Sequence, residues 1–457
     1  MVFPVRGHRR ILRITAAIAA ALALTGCSGA SVENLLTAPK LTQEQSEIYQ
    51  ALINSTGTSI RLKYPRGGDY RSAFVLQDID SDSGDEALVY YENLSVQSGE
   101  SALRLKVLDK NPEGRWEAVY DLACVGSEVD SISFASLGSS DSIEMIACYS
   151  MLNQTEKTVS VLTYADGIMS ELYSSSYSCM EVIDLNADGE QELVTVASDK
   201  VSQTAVAMMF TRTDDGFRKL GEARLSGAAA EYIGVTKGEL SEGITALFLD
   251  YSKGGGQYGT DVVYCTRGMI TSPSNRRTGP DGASYDLISR FTNDYMTDIR
   301  CMDIDGDGFV EIPSMTPLPG YETLQKSEQL CAVEWYKVEY NAYKRRFYSY
   351  YSSKYNFALI FPSRWQGIVS AVVNSQDNEI VFISYSADKG VVVDESTELL
   401  RIRTIDKEDT EALVNSKDFR MIGENEESII CIKESAGYLT GSLALTESEL
   451  QNSLTIL

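Results

Sequence analysis

The sequence predicts a mainly-β protein, with a five-bladed β-propeller of four-stranded antiparallel blades over residues 58–353 and a small α+β domain over residues 354–457. Short runs of alternating apolar and polar residues recur in groups of four, roughly every 50 residues, which is typical of propeller blades. An acidic loop occurs three times, always between the first and second strand of a group. After residue 354 the pattern changes to strands mixed with helices.

The composition excludes several functional classes. The chain has 457 residues and a formal net charge of −25, so its length predicts two or more domains and its charge disfavours nucleic acid as a partner. The only histidine is His8, in the N-terminal segment. A mature protein without histidine cannot use Ser-His-Asp, Cys-His or His-zinc chemistry.

The N-terminal residues predict export and anchoring. A basic stretch ends at Arg13 and is followed by an apolar run over 14–24, too short to span a bilayer stably but typical of a signal peptide over residues 1–26. Leu24-Thr-Gly-Cys27 resembles the bacterial lipobox, which implies cleavage before Cys27 and acylation of that residue. The resemblance places the protein outside the cytoplasm, anchored to the bacterial cell membrane by lipid; an ordinary signal peptide is the alternative.

A polar tether and a short helix are predicted over residues 27–57, with Thr42 and Gln45 forming a capping box. The five strand groups follow, over residues 74–122, 132–173, 182–223, 232–265 and 299–351. The first strand of group one is predicted at 74–77 and that of group five at 299–302. The α+β region is expected to contain a helix around 407–415 and a final helix capped by Thr446 and Glu449.

The acidic loops predict up to three structural Ca²⁺ sites. Oxygen-bearing side chains fall at loop positions 1, 3, 5 and 9, namely Asp78, Asp80, Asp82 and Glu86; Asp184, Asn186, Asp188 and Glu192; and Asp303, Asp305, Asp307 and Glu311. Such oxygens on a tightly turned loop suit a hard cation, and glycine at position 6 of two copies permits the turn. The alternative is a solvated Asp/Gly turn. Ser136 and Lys237 replace the first ligand in groups two and four.

These loops, placed between strands of a four-stranded repeat, resemble the FG-GAP/VCBS repeats of integrin-α-type β-propellers. The resemblance implies a propeller fold and a ligand shell completed by the position-7 carbonyls of Gly84, Glu190 and Phe309. The Phe-Gly and Gly-Ala-Pro signatures of integrin repeats are absent. The stretch from Tyr355 to Trp365, which opens the C-terminal region, resembles the PsbP/Mog1-type α+β fold.

No catalytic residue and no organic cofactor are predicted. Residues 254–259 match Gly-x-Gly-x-x-Gly, but they lie between two predicted strands rather than before a helix, so a hairpin is expected. The expected function is a lipid-anchored, calcium-stabilised extracellular binding or scaffold protein for an unknown protein or glycan. The alternatives are an envelope glycan-acting hydrolase that uses carboxylates and a cell-envelope assembly factor.

Overall fold

The computed structural model describes residues 41–457 except 83, 97–100, 140–141, 152–156, 200, 215, 274–276, 279–283, 286–298, 340–341, 410–416 and 440. The signal peptide, Cys27 and most of the predicted tether and 407–415 helix lie outside the described residues. The fold is mainly β and consists of antiparallel sheets that follow one another along the chain. No helix within the described ranges is long and apolar enough to cross a membrane.

Helix α1, Gln43–Thr56, begins at the predicted capping box: Thr42 Oγ1 accepts from Gln45 N and Thr42 N donates to Gln45 Oε1, both at 3.1 Å. Ile48 and Leu52 are fully buried against sheet one. They cover the face of that sheet opposite to sheet two, which gives the helix a defined packing partner.

Four sheets account for the first seventeen strands. Sheet one contains β1 Ile60–Leu62, β2 Phe74–Gln77, β3 Glu86–Asn93, β4 Leu103–Lys110 and β5 Trp116–Ala123. Sheet two contains β6 Glu128–Ala135, β7 Glu144–Ser150, β8 Lys157–Ala165 and β9 Ile168–Tyr177. Sheet three contains β10 Cys179–Ile183, β11 Glu192–Asp199, β12 Thr204–Thr213 and β13 Gly216–Arg224. Sheet four contains β14 Glu231–Ser241, β15 Ile244–Gly254, β16 Gln257–Thr266 and β17 Met269–Thr271.

The remaining strands form a short hairpin and two larger sheets. The hairpin pairs β18 Arg277–Thr278 with β19 Ser284–Tyr285. Sheet five contains β20 Ile312–Pro317, β21 Cys331–Glu339, β22 Ala342–Ser352, β23 Phe357–Ile360 and β29 Leu454–Ile456. The C-terminal sheet contains β24 Val369–Asn374, β25 Glu379–Ser384, β26 Glu398–Asp406, β27 Arg420–Glu424 and β28 Ser428–Glu434. Helices α2 Ala436–Leu439 and α3 Glu447–Ser453 precede β29, and α3 carries the predicted Thr446–Glu449 capping box.

Consecutive sheets pack face to face through apolar side chains. Separate core clusters join sheets one and two, two and three, three and four, and four and five. Central strands are therefore apolar on both faces, and all seven residues of β7 are buried. Outer strands such as β5 keep an alternation of buried and more exposed residues, because one of their faces is solvated.

The predicted grouping into four-stranded antiparallel sheets is confirmed for sheets two, three and four. Sheet one gains β1, and sheet five gains β23 and β29 from the sequence beyond residue 353. Among the described residues no core cluster joins sheet five to sheet one, so closure into a five-bladed ring is not shown. Residues 353 and 354 lie in the turn between two paired strands, β22 and β23; the division into domains stays a prediction.

The predicted strand at 299–302 is wrong, because only an isolated bridge from Met302 to Glu311 forms there. The backbone of Cys301 is bonded instead by side chains of sheet four. Cys301 N donates to Asp250 Oδ2 at 3.1 Å, and Cys301 O accepts from Thr236 Oγ1 at 2.9 Å. These bonds replace a strand ladder and connect sheet four to the start of the fifth repeat.

Candidate metal centres

Each acidic loop is followed directly by a strand. In loops one and two this strand begins with the glutamate of the loop, and in loop three it begins with the residue after the glutamate. Loop one joins β2 to β3, loop two joins β10 to β11, and loop three precedes β20. Loops two and three also contact the preceding sheet region: Gly138 N donates to Gln191 O at 2.9 Å, and Val310 N donates to Glu239 O at 3.0 Å. Fixing either loop therefore also fixes the contact between two neighbouring repeats.

The structure brings three carboxylates together in every loop. One ligand atom from each residue lies within 4.8 Å of the others in the sets Asp78, Asp80 and Glu86; Asp184, Asp188 and Glu192; and Asp303, Asp305 and Glu311. Carboxylates that converge in this way repel one another unless they bind protons or a cation. Each set could therefore hold a metal ion, and oxygen-only ligands are compatible with calcium.

The ninth residue of each loop is a buried glutamate that anchors the backbone. Glu86 and Glu311 are fully buried and Glu192 is 1% exposed. The Oε2 atom of each accepts the N–H of the second loop residue, from Ile79 at 2.9 Å, Leu185 at 3.0 Å and Ile304 at 3.1 Å. This bond fixes where the other oxygen of each glutamate can lie.

Burial is the main influence on the protonation of these groups. It raises the pKa of Glu86, Glu192 and Glu311 to about 7, because a poorly solvated site disfavours the charged form. Burial also raises the pKa of Asp80 and Asp305. A bound cation would favour the ionised forms, so proton binding and metal binding compete at these sites.

The turn in each loop depends on its fourth residue, which adopts a left-handed backbone conformation. The φ angles are 64° at Ser81, 60° at Ala187 and 74° at Gly306. This conformation turns amide groups toward the first carboxylate; Ser81 N, for example, donates to Asp78 Oδ1 at 2.7 Å. The predicted glycines at position 6 are left-handed as well, with φ angles of 90° at Gly189 and 92° at Gly308, whereas position 4 is left-handed in all three loops.

Replacing Ala187 by glycine is expected to stabilise the protein by about 0.5 kcal/mol, because the left-handed conformation costs an L-residue about 1–2 kcal/mol and the added freedom of the unfolded chain offsets part of the gain. Urea unfolding would measure the change. Ala197→Gly, in the extended strand β11, is the control and should destabilise. Equal destabilisation by both substitutions would contradict strain at Ala187.

The fit to a cation is best in loop one. The Oε1 atom of fully buried Glu86 has no hydrogen-bond partner among the described residues, and leaving such an atom unpaired costs about 1–3 kcal/mol or more. In loop two, Asn186 Nδ2 donates to Asp188 Oδ2 and to Glu192 Oε1, both at 2.8 Å. The donor set of loop one thus fits a hard divalent ion, which would supply the missing partner.

Some predicted ligands stand outside these sets. Asp82 accepts from Gly84 N at 2.8 Å, while Asp307 accepts from Lys337 Nζ at 2.5 Å. The N–H groups of Glu190 and Phe309 donate to the carboxylate at position 5 of their own loops, at 2.9 and 3.0 Å. Although burial acts to raise it, the hydrogen bond from Lys337 holds the pKa of Asp307 below its usual range.

A fourth buried glutamate, Glu144, lies at the start of β7 and was not predicted from the sequence. It is fully buried and accepts from Leu137 N at 3.1 Å, the same seven-residue relation as in the three acidic loops. The acids of positions 1, 3 and 5 are replaced in this copy, where Ser136, Gly138 and Ser140 stand. A glutamate directly before an apolar strand was the available signal.

A cavity of about 1050 Å³ lies beside loop three, between sheets four and five. The charged residues that line it are Arg267, Lys337, Arg346, Glu242 and Asp307, and Tyr264 also contributes. Since these residues come from distant parts of the chain, no local sequence pattern identified them. This concave surface combines cations, carboxylates and a phenol.

A second cavity, of about 710 Å³, lies next to the turn that joins β15 to β16. This turn contains Gly254, Gly255 and Gly256, all with positive φ, so the glycine-rich segment lies between strands, as the hairpin interpretation expected. Aromatic and basic residues also line this cavity, namely Tyr258, Tyr350, Tyr351, Tyr355, Lys326 and Lys354.

Comparison with known proteins gives no family. No family model matches the chain, and no curated protein matches it. Similar solved structures include an exotype rhamnogalacturonan lyase, with 13% identity and a TM-score of 0.27 over 74% of this chain and 62% of that one. A rhamnogalacturonan lyase from Bacillus licheniformis has 13% identity and a TM-score of 0.30 over 76% and 63%. The chain thus spans less than two thirds of these lyases.

The periplasmic gluconolactonase PpgL of Pseudomonas aeruginosa has 12% identity and a TM-score of 0.25 over 73% of this chain and 87% of that one. The expectation of a binding or scaffold protein with no catalytic site is corrected on this finding, since the similar structures are named as enzymes. Likeness at this level assigns no reaction or substrate to the chain, and its fold is consistent with an enzyme or a non-enzyme.

Proposed function

We propose that this chain is a calcium-binding enzyme of the bacterial cell envelope that acts on an acidic glycan. The observation that carries the proposal is the charge of the cavity beside loop three. Its lining holds three cationic residues and two acidic ones, whereas the whole chain has a formal charge of −25. A concave region whose sign opposes that of the protein attracts an anionic ligand and concentrates it there.

The cavity groups differ in what they can do. Lys337 is ion-paired with Asp307 and Glu311, so its charge is balanced within loop three and ligand binding is left to the two arginines of the lining. Arg267 and Arg346 are exposed there and are suited to bind the carboxylates of an acidic sugar. Glu242 is exposed and has no hydrogen-bond or ion-pair partner among the described residues, which makes it the group able to transfer a proton.

Calcium has a structural role in this proposal. Loops two and three lie at contacts between repeats, and a bound ion would neutralise the clustered carboxylates of a loop and fix its turn. We extend the proposal to the repeats themselves: the five successive sheets are blades of FG-GAP/VCBS type in a five-bladed propeller. Their consecutive face-to-face packing supports this view.

The place of action follows from the N-terminal residues. Cleavage before Cys27 and its acylation would anchor the chain to the membrane on the extracytoplasmic side, where Ca²⁺ at about 10⁻³ M would fill sites of the affinity usual for extracellular modules. Metabolic labelling with a fatty-acid analogue should mark the wild-type chain and not Cys27→Ala. Equal labelling of both would contradict lipidation at this residue.

The activity is tested on the soluble protein lacking residues 1–27, with a panel of neutral and acidic polysaccharides. New reducing ends would report hydrolysis, and ultraviolet absorbance of unsaturated uronates would report elimination. We expect cleavage of an acidic polymer only. The double variant Arg267→Ala/Arg346→Ala should reduce kcat/KM at least about 100-fold, because two charge-assisted contacts worth about 1.5–3 kcal/mol each are lost.

Arg345→Ala is the matched control. Arg345 neighbours Arg346 on β22 but pairs with Glu334 and does not line the cavity, so its removal should leave cleavage nearly unchanged. Glu242→Gln should lower kcat with little effect on KM if Glu242 transfers the proton. Absence of cleavage across the panel, or equal activity in all variants, would contradict the proposal.

A further inference from the structure

The same buried glutamate occurs in four of the repeats, and each copy needs a partner for its second oxygen. Glu86, Glu144, Glu192 and Glu311 are at most 1% exposed. Each uses Oε2 to accept an N–H seven residues earlier in the chain. An ionised carboxylate in such a buried place must be compensated by a cation or by hydrogen bonds. The four copies can therefore be compared by the group that lies next to their Oε1 oxygen.

In loop one nothing compensates this oxygen. Glu86 Oε1 has no hydrogen-bond partner among the described residues, although Asp78 and Asp80 each place an oxygen within 4.8 Å. The site therefore has the carboxylates that a divalent ion needs, and none of the ion pairs found among the described residues involves them. In loop two the neutral amide of Asn186 donates to the corresponding oxygen of Glu192, and this amide can turn its oxygen toward an ion instead.

In loop three Glu311 Oε1 likewise has no hydrogen-bond partner among the described residues, but an ammonium group lies beside it as an ion-pair partner. Lys337, from β21, places Nζ 2.5 Å from Asp307 Oδ2 and 3.1 Å from Glu311 Oε1. The side chain is only 9% exposed, and Nζ lies 4.5 Å from the centre of the Phe309 ring. Acidic and aromatic groups of the loop thus hold the cation from several sides.

The second repeat offers a parallel. Glu144 Oε1 accepts from Ser142 Oγ at 2.6 Å and lies 3.7 Å from Nε of Arg212, on β12 of sheet three. Here the acids of loop positions 1, 3 and 5 are replaced by other residues, and a guanidinium is near the glutamate. A fixed cation from the protein is therefore used in two of the four repeats that carry this glutamate.

We propose that Lys337 is a built-in replacement for the metal in loop three, so that the chain binds two divalent ions, in loops one and two, rather than the three its sequence suggests. The inference rests on the calcium sites of the proposed function and not on the glycan activity. A divalent ion placed among the same oxygens would be repelled by the ammonium. Binding in loop three should therefore be weakened by more than 100-fold relative to loop one.

Counting bound Ca²⁺ tests the inference directly, by isothermal titration and equilibrium dialysis on the chain lacking residues 1–27. We expect two ions in the wild type, three in Lys337→Met, which keeps the length of the side chain without its charge, and one in Glu86→Gln. Lys344→Met is the matched control: Lys344 lies opposite Lys337 in the register of β21 and β22, whereas it is Lys337 that forms the ion pairs with Asp307 and Glu311, so two ions are expected.

The outcomes separate the two proposals. Three ions in the wild type would overturn the role of Lys337 and leave the calcium sites intact. This measurement uses the wild-type chain alone, so it does not depend on the folding of any variant. Two ions in both the wild type and Lys337→Met would also overturn it. If neither the wild type nor any variant binds an ion, both proposals are overturned. If the wild type binds none and Lys337→Met binds one, the role of Lys337 is supported and calcium binding in loops one and two is contradicted.

Discussion

Removing calcium is expected to lower the melting temperature by about 6 °C near pH 8 and by much less near pH 5. Two sites filled at about 100 times their Kd contribute about 2.7 kcal/mol each. An unfolding entropy of about 2.1 cal/mol/K per residue over roughly 400 ordered residues converts this sum into the stated shift. Calorimetry with calcium and with chelator, at four pH values, would measure it.

The pH dependence of stability should have opposite signs with chelator and with calcium. Without calcium, burial raises the pKa of Glu86 and Glu192 to about 7 from the usual 4.5. The folded state then binds more protons than the unfolded state between these values, so stability falls as pH rises from about 4.5 to 7. With calcium the ionised carboxylates are needed as ligands, so the stabilisation by calcium grows over the same range.

The variant Glu86→Gln/Glu192→Gln is the control for this prediction. It removes the ionisable group that anchors each of the two loops, so the chelator effect should vanish and the slope with pH should flatten. A melting temperature that responds equally to chelator at pH 5 and pH 8 would contradict control by these glutamates. No response at either pH would contradict calcium binding itself.

Replacing Asp250 by alanine is expected to destabilise the fold by about 3–5 kcal/mol. Asp250 is 4% exposed, and it accepts from Thr260 Oγ1 at 2.6 Å and from Cys301 N at 3.1 Å. Its removal leaves a buried N–H and a buried hydroxyl without their acceptor, which is costly in addition to the lost contacts. Urea unfolding monitored by circular dichroism would measure the loss.

Two further variants define this result. Asp250→Asn keeps the shape and one acceptor oxygen, so it should cost less and should fold if the alanine variant does not. Asp214→Ala removes an exposed aspartate and should change stability by less than about 0.5 kcal/mol. A loss at Asp250 as small as that at Asp214 would show that sheet four does not depend on this carboxylate to hold the next repeat.

Sheet four has a buried aspartate on each face, and neither was predicted from the sequence. Asp261 is fully buried and accepts from Ser226 N and Tyr232 Oη, both at 3.1 Å. Asp250 bonds instead toward Cys301 of the fifth repeat. Both residues interrupt apolar strands, where an acid is expected to face solvent; only the packing of neighbouring repeats shows what they bind.

Local patterns in the sequence determined much of this protein. The alternation of apolar residues placed the strand groups, and β2 has the predicted bounds of Phe74–Gln77. The acidic loops were found because their ligands lie within nine residues of one another. Both capping boxes, at Thr42 and Thr446, formed as expected. Each of these features depends on backbone geometry and side chains a few residues apart.

The tertiary structure alone decided which groups meet across the chain. It placed Lys337 in loop three, joined β29 to β23, and assembled a cationic cavity in an acidic protein. These arrangements depend on how sheets pack against one another, and residues far apart in sequence carry no shared local pattern. The three acidic loops look alike in sequence. In loop three a lysine from another strand is paired with the buried glutamate, whereas in loop one the second oxygen of the glutamate has no hydrogen-bond partner among the described residues. That difference exists only in the folded chain.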